Sequence, residues 1–527
     1  MTLNKLFLCV TFVALFGRVA VMAQEKLGKV DFPISCSPEA QAQFNRAVAM
    51  LHSFWFPQAP KTFAAVSETD PGCAMAHWGI AISQRANPLV GPPDAAALKR
   101  GLASIEKAKA IGAKTQRERD YINAIELFYK DSDKLDHRTR VLAYEKAMEQ
   151  LYLAYSQDLE AAVFYALALN EAIDFEDKTY ARQLKAAQIL ERVWAKQPEH
   201  PGALHYLIHS YDFPPLAARG LATAKRYVSV APSAPHALHM PSHVFSMLGM
   251  WQESIKSNRE ALGVAKNYVH AMDFMVYAHL QGAQDGEAKR LLEESAALYK
   301  TQAPTAELTP TGGVLAVHTA FAAIPARYAI ERGAWVAAAA LQPRPSTPSA
   351  DAITYFTRAM GAVRSGDVNS ARKDIEQLES LKNTLTTAKQ KYWADQVEIQ
   401  RRAAAAWVAH AGGKKDEALK TMRSAAQLED ASEKHVAMEN RLWPMRELLG
   451  EMLLQLNEPG PALKEFEASF KAAPNRLRGY YGAAKAAERL GDHKKARSYY
   501  GKLVELCKQG DGERPELAEA KAFLAKK

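Results

Sequence analysis

"LGMWQESIKSNREAL" at 248–262 and "LGDHKKARSYYGKLV" at 490–504 lie far apart in the chain, yet they share one frame. In each, a glycine is followed five residues later by a small residue, Gly249 by Ser254 and Gly491 by Ala496. The frame recurs at Gly333–Ala338, Gly366–Ala371 and Gly413–Ala418. Asn457–Ala462 is a variant of it, 34 residues before Gly491–Ala496. A glycine at that place breaks the chain between two helices, and the small residue lets the second helix press closely against the first. Prolines 71, 198, 232 and 474 fall where the second helix should end and a new pair begin.

This pattern resembles the tetratricopeptide repeat family, whose period is 34 residues. The resemblance covers nearly all of the chain after residue 36, and the units 352–385, 399–432, 443–476 and 477–510 match best. It implies an all-α fold, a right-handed superhelical solenoid of antiparallel helix pairs. "DPGCAMAHWGIAIS" (70–83), preceded by "HSFWFP" (52–57), also resembles a group of bacterial exported tetratricopeptide proteins, a likeness that implies no reaction. A repeat array grows by addition, so 527 residues do not require several separate cores.

Two stretches interrupt the array. "TQAPTAELTPTGG" (301–313) reads as a long loop, and "LQPRPSTPSA" (341–350) is rich in proline. The expected organisation is a signal peptide at 1–23, an N-terminal solenoid over 24–341, a linker at 342–350 and a C-terminal array over 351–527. The signal is read from Lys5, the apolar run "LFLCVTFVALFG" (6–17), and Val21 and Ala23 before Gln24. A bilayer span needs about 20 apolar residues, and Arg18 interrupts this run. No later segment is long and apolar enough to cross, so a periplasmic or secreted protein is expected. Lys5 and Arg18 leave with the signal, which takes the net charge from +9 to +7. That excess is scattered, and no basic stripe is interleaved with aromatics, which argues against nucleic acid as a partner. Cys9 also leaves, and Cys36 and Cys73, about one repeat apart, are expected to form a disulfide in an oxidising compartment rather than remain two buried thiols. Cys507 is then the odd thiol.

The frame also places the histidines. With Gly249 as position 15, one unit runs 235–268, and its neighbours run 201–234 and 269–302. His205 and His239 both take position 5, His209 and His243 position 9, and His236 and His270 position 2. Asp273 continues the position-5 row, and Tyr277 the position-9 row. Residues 205–270 hold six of the fifteen histidines, all at three repeat positions. Positions 2, 5, 9 and 12 share one face of the first helix, which in the tetratricopeptide family lines the concave groove. "HYLIH" (205–209) and "HMPSH" (239–243) each offer histidines one helical turn apart, an arrangement that can ligate a metal jointly.

The candidate metal ligands are therefore His205, His209, His239, His243 and Asp273. His236, His270, Asp212, Ser242 and Tyr277 are candidates to line a ligand groove. Imidazole with carboxylate suits zinc, iron, copper or nickel. Two other readings stand beside this one: a groove that holds a protein or peptide partner without metal, and a structural network of His–Asp pairs. Pro241 and Pro325 fall within the first helices of their units, where they bend the helix. The expected function is a binding scaffold, with a metal-dependent hydrolase or oxidase on the same patch as the alternative. Against the enzyme, "HYLIH" lacks the glutamate base of a zinc protease. The sequence also has no Gly-x-Ser-x-Gly, no phosphate loop, no Cys-x-x-Cys and no dinucleotide fingerprint.

Overall fold

The computed structural model describes residues 25–302, 304–305 and 308–526. The expected signal segment, 1–23, lies outside them. Among the described residues the regular structure is all helical, and the helices run as antiparallel pairs in the predicted frame. The three units that carry the histidines pair Pro201–Tyr211 with Leu221–Val230, then Pro235–His239 and Pro241–Met247 with Trp251–Val264, then Val269–Gln281 with Asp285–Thr301. Beyond them Val314–Glu331 and the short Trp335–Ala339 lead into the C-terminal pairs. These are Pro348–Arg364 with Val368–Thr387, Lys391–Ala411 with Lys415–Ala431, Met445–Gln455 with Pro459–Ser469, and Leu477–Arg489 with His493–Leu506. None of the described helices is long and apolar enough to cross a membrane.

The frame residues do what their chemistry requires. Gly249, Gly333, Gly366, Gly413 and Gly491 all adopt positive φ, and Asn457 does so at the variant turn. In the 269–302 unit the same place is taken by Ala283, held at φ 54°. Ser254, Ala338, Ala371, Ala418, Ala462 and Ala496 are each completely buried. Close approach of the paired helices leaves no room there for a larger side chain. Pro241 removes a backbone donor and divides the first helix of its unit at Met240. Pro325, by contrast, is carried inside the continuous helix Val314–Glu331.

The apolar core runs through the proline-rich stretch: Ala326 and Ile330 share one cluster with Ile353 and Phe356. The chain also folds back on itself. Trp251 Nε1 donates to the Asn475 carbonyl at 2.6 Å, the Leu477 amide donates to Gln281 Oε1 at 3.1 Å, and Arg514 holds Asp285 through two bonds of 2.6 Å. The segment 432–444, between Lys415–Ala431 and Met445–Gln455, crosses to the N-terminal units. The Glu433 amide donates to the Phe175 carbonyl at 2.7 Å, and Lys178 binds the Glu433 carboxylate at 2.7 Å.

Cys36 and Cys73 are joined in a disulfide, and Cys507 is a buried free thiol. The bridge links residues 37 positions apart, for which the chain-entropy relation gives about 4 kcal/mol of stabilisation. Alkylation of the non-reduced protein lacking residues 1–23, and with them Cys9, is expected to label Cys507 alone, and only on denaturation, while Cys36→Ser should lower the melting temperature. Labelling of three thiols would overturn the bridge.

Candidate metal centre

The histidines converge, and they do so inside the protein. His205, His209, His236, His239, His243 and His270 are all between 0 and 6% exposed. They form two adjoining trios, His205/His209/His236 and His239/His243/His270. In each trio one ring nitrogen per residue lies within 4.8 Å of the other two. The Phe54 ring borders the first trio and Phe274 the second.

Hydrogen bonds fix how several rings are turned. His205 Nδ1 lies 2.6 Å from the His52 carbonyl. A carbonyl only accepts, so Nδ1 carries the hydrogen and Nε2 presents a lone pair. His239 Nδ1 faces Asn258 Oδ1 at 2.5 Å, and the Asn258 amide nitrogen donates to the Ser254 carbonyl at 2.8 Å, which sets the orientation of the amide. His243 Nδ1 donates to Asp212 Oδ2 at 2.8 Å and lies 3.2 Å from Glu439 Oε2. His236 Nδ1 meets the Tyr268 hydroxyl at 3.0 Å. Such outer partners are what orient metal-ligating imidazoles and fix their tautomers. The consequence is sharpest in the second trio, where His239 Nε2 and His243 Nε2 stand 3.0 Å apart with both Nδ1 atoms already committed as donors. With His243 protonated, its Nε2–H donates to the His239 Nε2 lone pair; loss of that proton would leave two lone pairs converging on one point, where a metal ion can take them. In the first trio His209 Nε2 and His205 Nε2 are 3.1 Å apart, and His209 Nδ1 is left buried without a partner, as are His236 Nε2 and His270 Nδ1.

Burial sets the protonation states. It lowers His205 and His270 to about 3 and holds His209, His236 and His239 well below the ordinary imidazole value, so these rings are neutral and able to ligate. His243 goes the other way: burial opposes its charge, but Glu439 and Asp212 outweigh burial and raise it to about 9. Burial and the neighbouring Asp212 carboxylate push Glu439 up to about 7. Asp212 is held well below the usual carboxylate range, because Lys434 and His243 outweigh its burial. The Lys434 ammonium, 2.7 Å from Asp212 Oδ2 and bonded to Glu439, fills the space among these carboxylates.

The other expected residues fall as follows. Asp273 is not brought to the histidines; Arg327, itself fully buried, takes its Oδ1 at 2.8 Å and its Oδ2 at 3.3 Å. Asp212 supports His243 from behind, and Ser242 Oγ lies 3.4 Å from His239 Nδ1. Tyr277 is turned to Arg476, away from the trios. All of these side chains are buried. The concave face is covered at the histidines by the chain's own residues 432–444: Arg327 also donates to the Asn440 carbonyl at 2.7 Å and the Arg441 carbonyl at 3.1 Å. Lys434 and Glu439 were not anticipated from sequence. They lie between two repeat units, outside the frame, and the spacer between the 399–432 and 443–476 units was the available signal.

A further acid–histidine group is structural. Glu160 shares its two oxygens between His52 Nε2 at 2.8 Å and His200 Nε2 at 2.9 Å. The remaining nitrogens bind the Tyr206 hydroxyl and cap the start of Pro201–Tyr211 through the Ala203 amide. No nitrogen is left over for a ligand.

No protein-family model matches the chain, and no curated protein does. Three solved structures of low identity align with it. Naa15/Naa10 bound to HypK-THB is 13% identical, with a TM-score of 0.25, covering 92% of this chain and 72% of that one. The APC/C hetero-tetramer Cut9–Hcn1 is 10% identical, with a TM-score of 0.30, covering 92% and 95%. The human IFIT1 dimer with m7Gppp-AAAA is 12% identical, with a TM-score of 0.39, covering 82% and 90%. Nothing about the histidine interior follows from likenesses at these scores.

Proposed function

We propose that the protein is an exported helical-repeat scaffold whose histidine interior binds a transition-metal ion of the zinc, copper, nickel or iron class. The observation that carries this reading is the pair of buried three-histidine clusters, in each of which one ring nitrogen per residue lies within 4.8 Å of the other two, with His205, His239 and His243 oriented by outer partners. Burial keeps the His205 and His270 imidazoles neutral. Neutral imidazoles with oriented outer partners are the donor set these metals take. Burial also favours an ion over a polypeptide ligand at this place, since residues 432–444 already cover the face. Export is supported by the Cys36–Cys73 disulfide, which persists in oxidising compartments.

Protein purified without an affinity tag is expected to carry metal by elemental analysis. After chelation, adding back zinc or copper should raise the melting temperature, because a ligand that binds only the folded state stabilises it. His205→Ala with His239→Ala should keep the helical circular dichroism and lose both the metal and the thermal gain. A second reading has its own observation: protonated His243 and Lys434 balance Asp212 and Glu439, so the network is neutral without metal. In that case no metal is found and none stabilises.

A further inference from the structure

We infer that the histidine interior holds two metal ions per chain, one in each trio, placed side by side by the repeat itself. This rests on the metal reading above and adds to it the number and position of the ions.

The second trio is the first moved by one repeat. His205, His209 and His236 become His239, His243 and His270 on adding 34 to each number. The displacement is also structural: His205 and His209 lie on Pro201–Tyr211, and their counterparts His239 and His243 lie on the divided first helix of the next unit. His236 and His270 each sit at the start of the following helix, on Pro235–His239 and Val269–Gln281, and complete the trio from there. One i,i+4 pair plus one histidine from the next unit therefore recurs as a complete three-nitrogen set. The facing Nε2 distances recur too, 3.1 Å in the first trio and 3.0 Å in the second.

The series ends at both sides for a visible reason. One repeat further on, His239 and His243 are replaced by Asp273 and Tyr277, which are engaged by the buried Arg327 and Arg476. One repeat earlier, the helix Leu159–Glu171 carries Val163 and Leu167 at the places of His205 and His209, and neither can ligate a metal. Guanidinium groups engage the equivalent residues on one side and apolar side chains stand at them on the other, so two sets remain. The equivalent rings of His209 and His243 have centroids 5.7 Å apart, so neighbouring ions would sit close without needing a common ligand. An ion about 2.0–2.1 Å from each nitrogen draws a trio inward from its present spread, which side-chain torsions can supply. Three imidazoles per ion suit zinc(II) or copper, with His243 giving up its Nε2 proton as the second ion binds.

The test is the stoichiometry of the full mature chain, stripped with a chelator and reloaded with zinc(II) against a competing chelator. Two ions per chain are expected for the wild type. His236→Ala should retain one ion by disabling the first trio, and His270→Ala should retain one by disabling the second. A wild type that binds one ion overturns the pair, as does a result in which either substitution alone abolishes all binding. A wild type that binds none overturns the pair together with the metal reading it rests on. If a substitution prevents folding, the wild-type count still decides. A second readout is copper(II) loading, where two ions this close should broaden each other's electron paramagnetic resonance lines. That broadening should vanish in His270→Ala, and sharp, isolated-ion spectra at full wild-type loading would overturn the arrangement.

Discussion

Metal-free protein is expected to lose stability steeply as the pH falls below about 6.5. His205, His209, His236, His239, His270 and His435 are all held by burial below the ordinary imidazole value, three of them at about 3. In the unfolded chain each takes up a proton near pH 6.5, whereas in the folded protein it does not. The unfolded state therefore binds more protons, and stability declines as the pH drops. Glu439, raised to about 7, works in the opposite sense and offsets one proton, because its folded form binds a proton that the unfolded form has released. Each such proton contributes about 1.4 kcal/mol per pH unit, so several acting together make the decline steep. Whole-domain stabilities are of the order of 5–15 kcal/mol, so unfolding of the histidine units is expected at mildly acidic pH. At the alkaline side His243, raised to about 9, contributes stability that is present below pH 6.5 and lost as the pH rises through 9. Melting temperature measured across pH 4.5–9.5 in the presence of chelator checks both limbs. A melting temperature unchanged between pH 7 and pH 5 would show that these rings are already charged or hydrated in the folded state.

Arg476→Met is expected to be the most damaging single substitution in the contact between the two ends of the array. The Arg476 guanidinium is fully buried and donates to Glu447 at 2.8 Å, to Glu331 at 2.8 Å, and to the Tyr277 hydroxyl. Glu331 and Tyr277 come from N-terminal helices, while Glu447 comes from the C-terminal array. Removing the cation leaves two buried carboxylates facing each other, each with one oxygen already lacking a partner. Breaking a buried pair in this way costs about 3–5 kcal/mol. Arg476→Met combined with Glu331→Gln and Glu447→Gln should recover a large part of that loss, because the stranded charges are gone. Denaturant titrations of the single and triple variants give the comparison. Equal stability of the two would mean that the cost lies in packing and not in charge.

The fold was legible because its determinants are local and periodic. Gly249, Gly366 and Gly491 mark turns that need positive φ, and Ser254, Ala371 and Ala496 mark helix contacts too close for larger side chains. The same periodicity located the six histidines, since repeat position fixes the helix face. Long-range pairing was not legible. Asp273 continues the histidine row in sequence, but Arg327, 54 residues later, captures it. Lys434 and Glu439 reach Asp212 and His243 from a segment between units, where no period applies. Burial of the face was missed for the same reason. A repeat frame describes contacts between neighbours and says nothing about a chain that returns to meet itself.

That return changes what kind of object this solenoid is. An open array behaves as a one-dimensional stack, in which terminal units fray first and can be trimmed with modest loss. Here Arg514 is tied to Asp285, Arg476 to Glu331 and Glu433 to the Phe175 carbonyl, so residues near the end of the chain hold units formed far earlier. The stack is closed into a loop of contacts, and its weakest interface is not free to open alone. Closure of such distant contacts comes late in folding. A nascent chain that ended before residue 432 would have its histidine units made but uncovered, and they would be locked only once Lys434, Glu439 and Arg476 had followed.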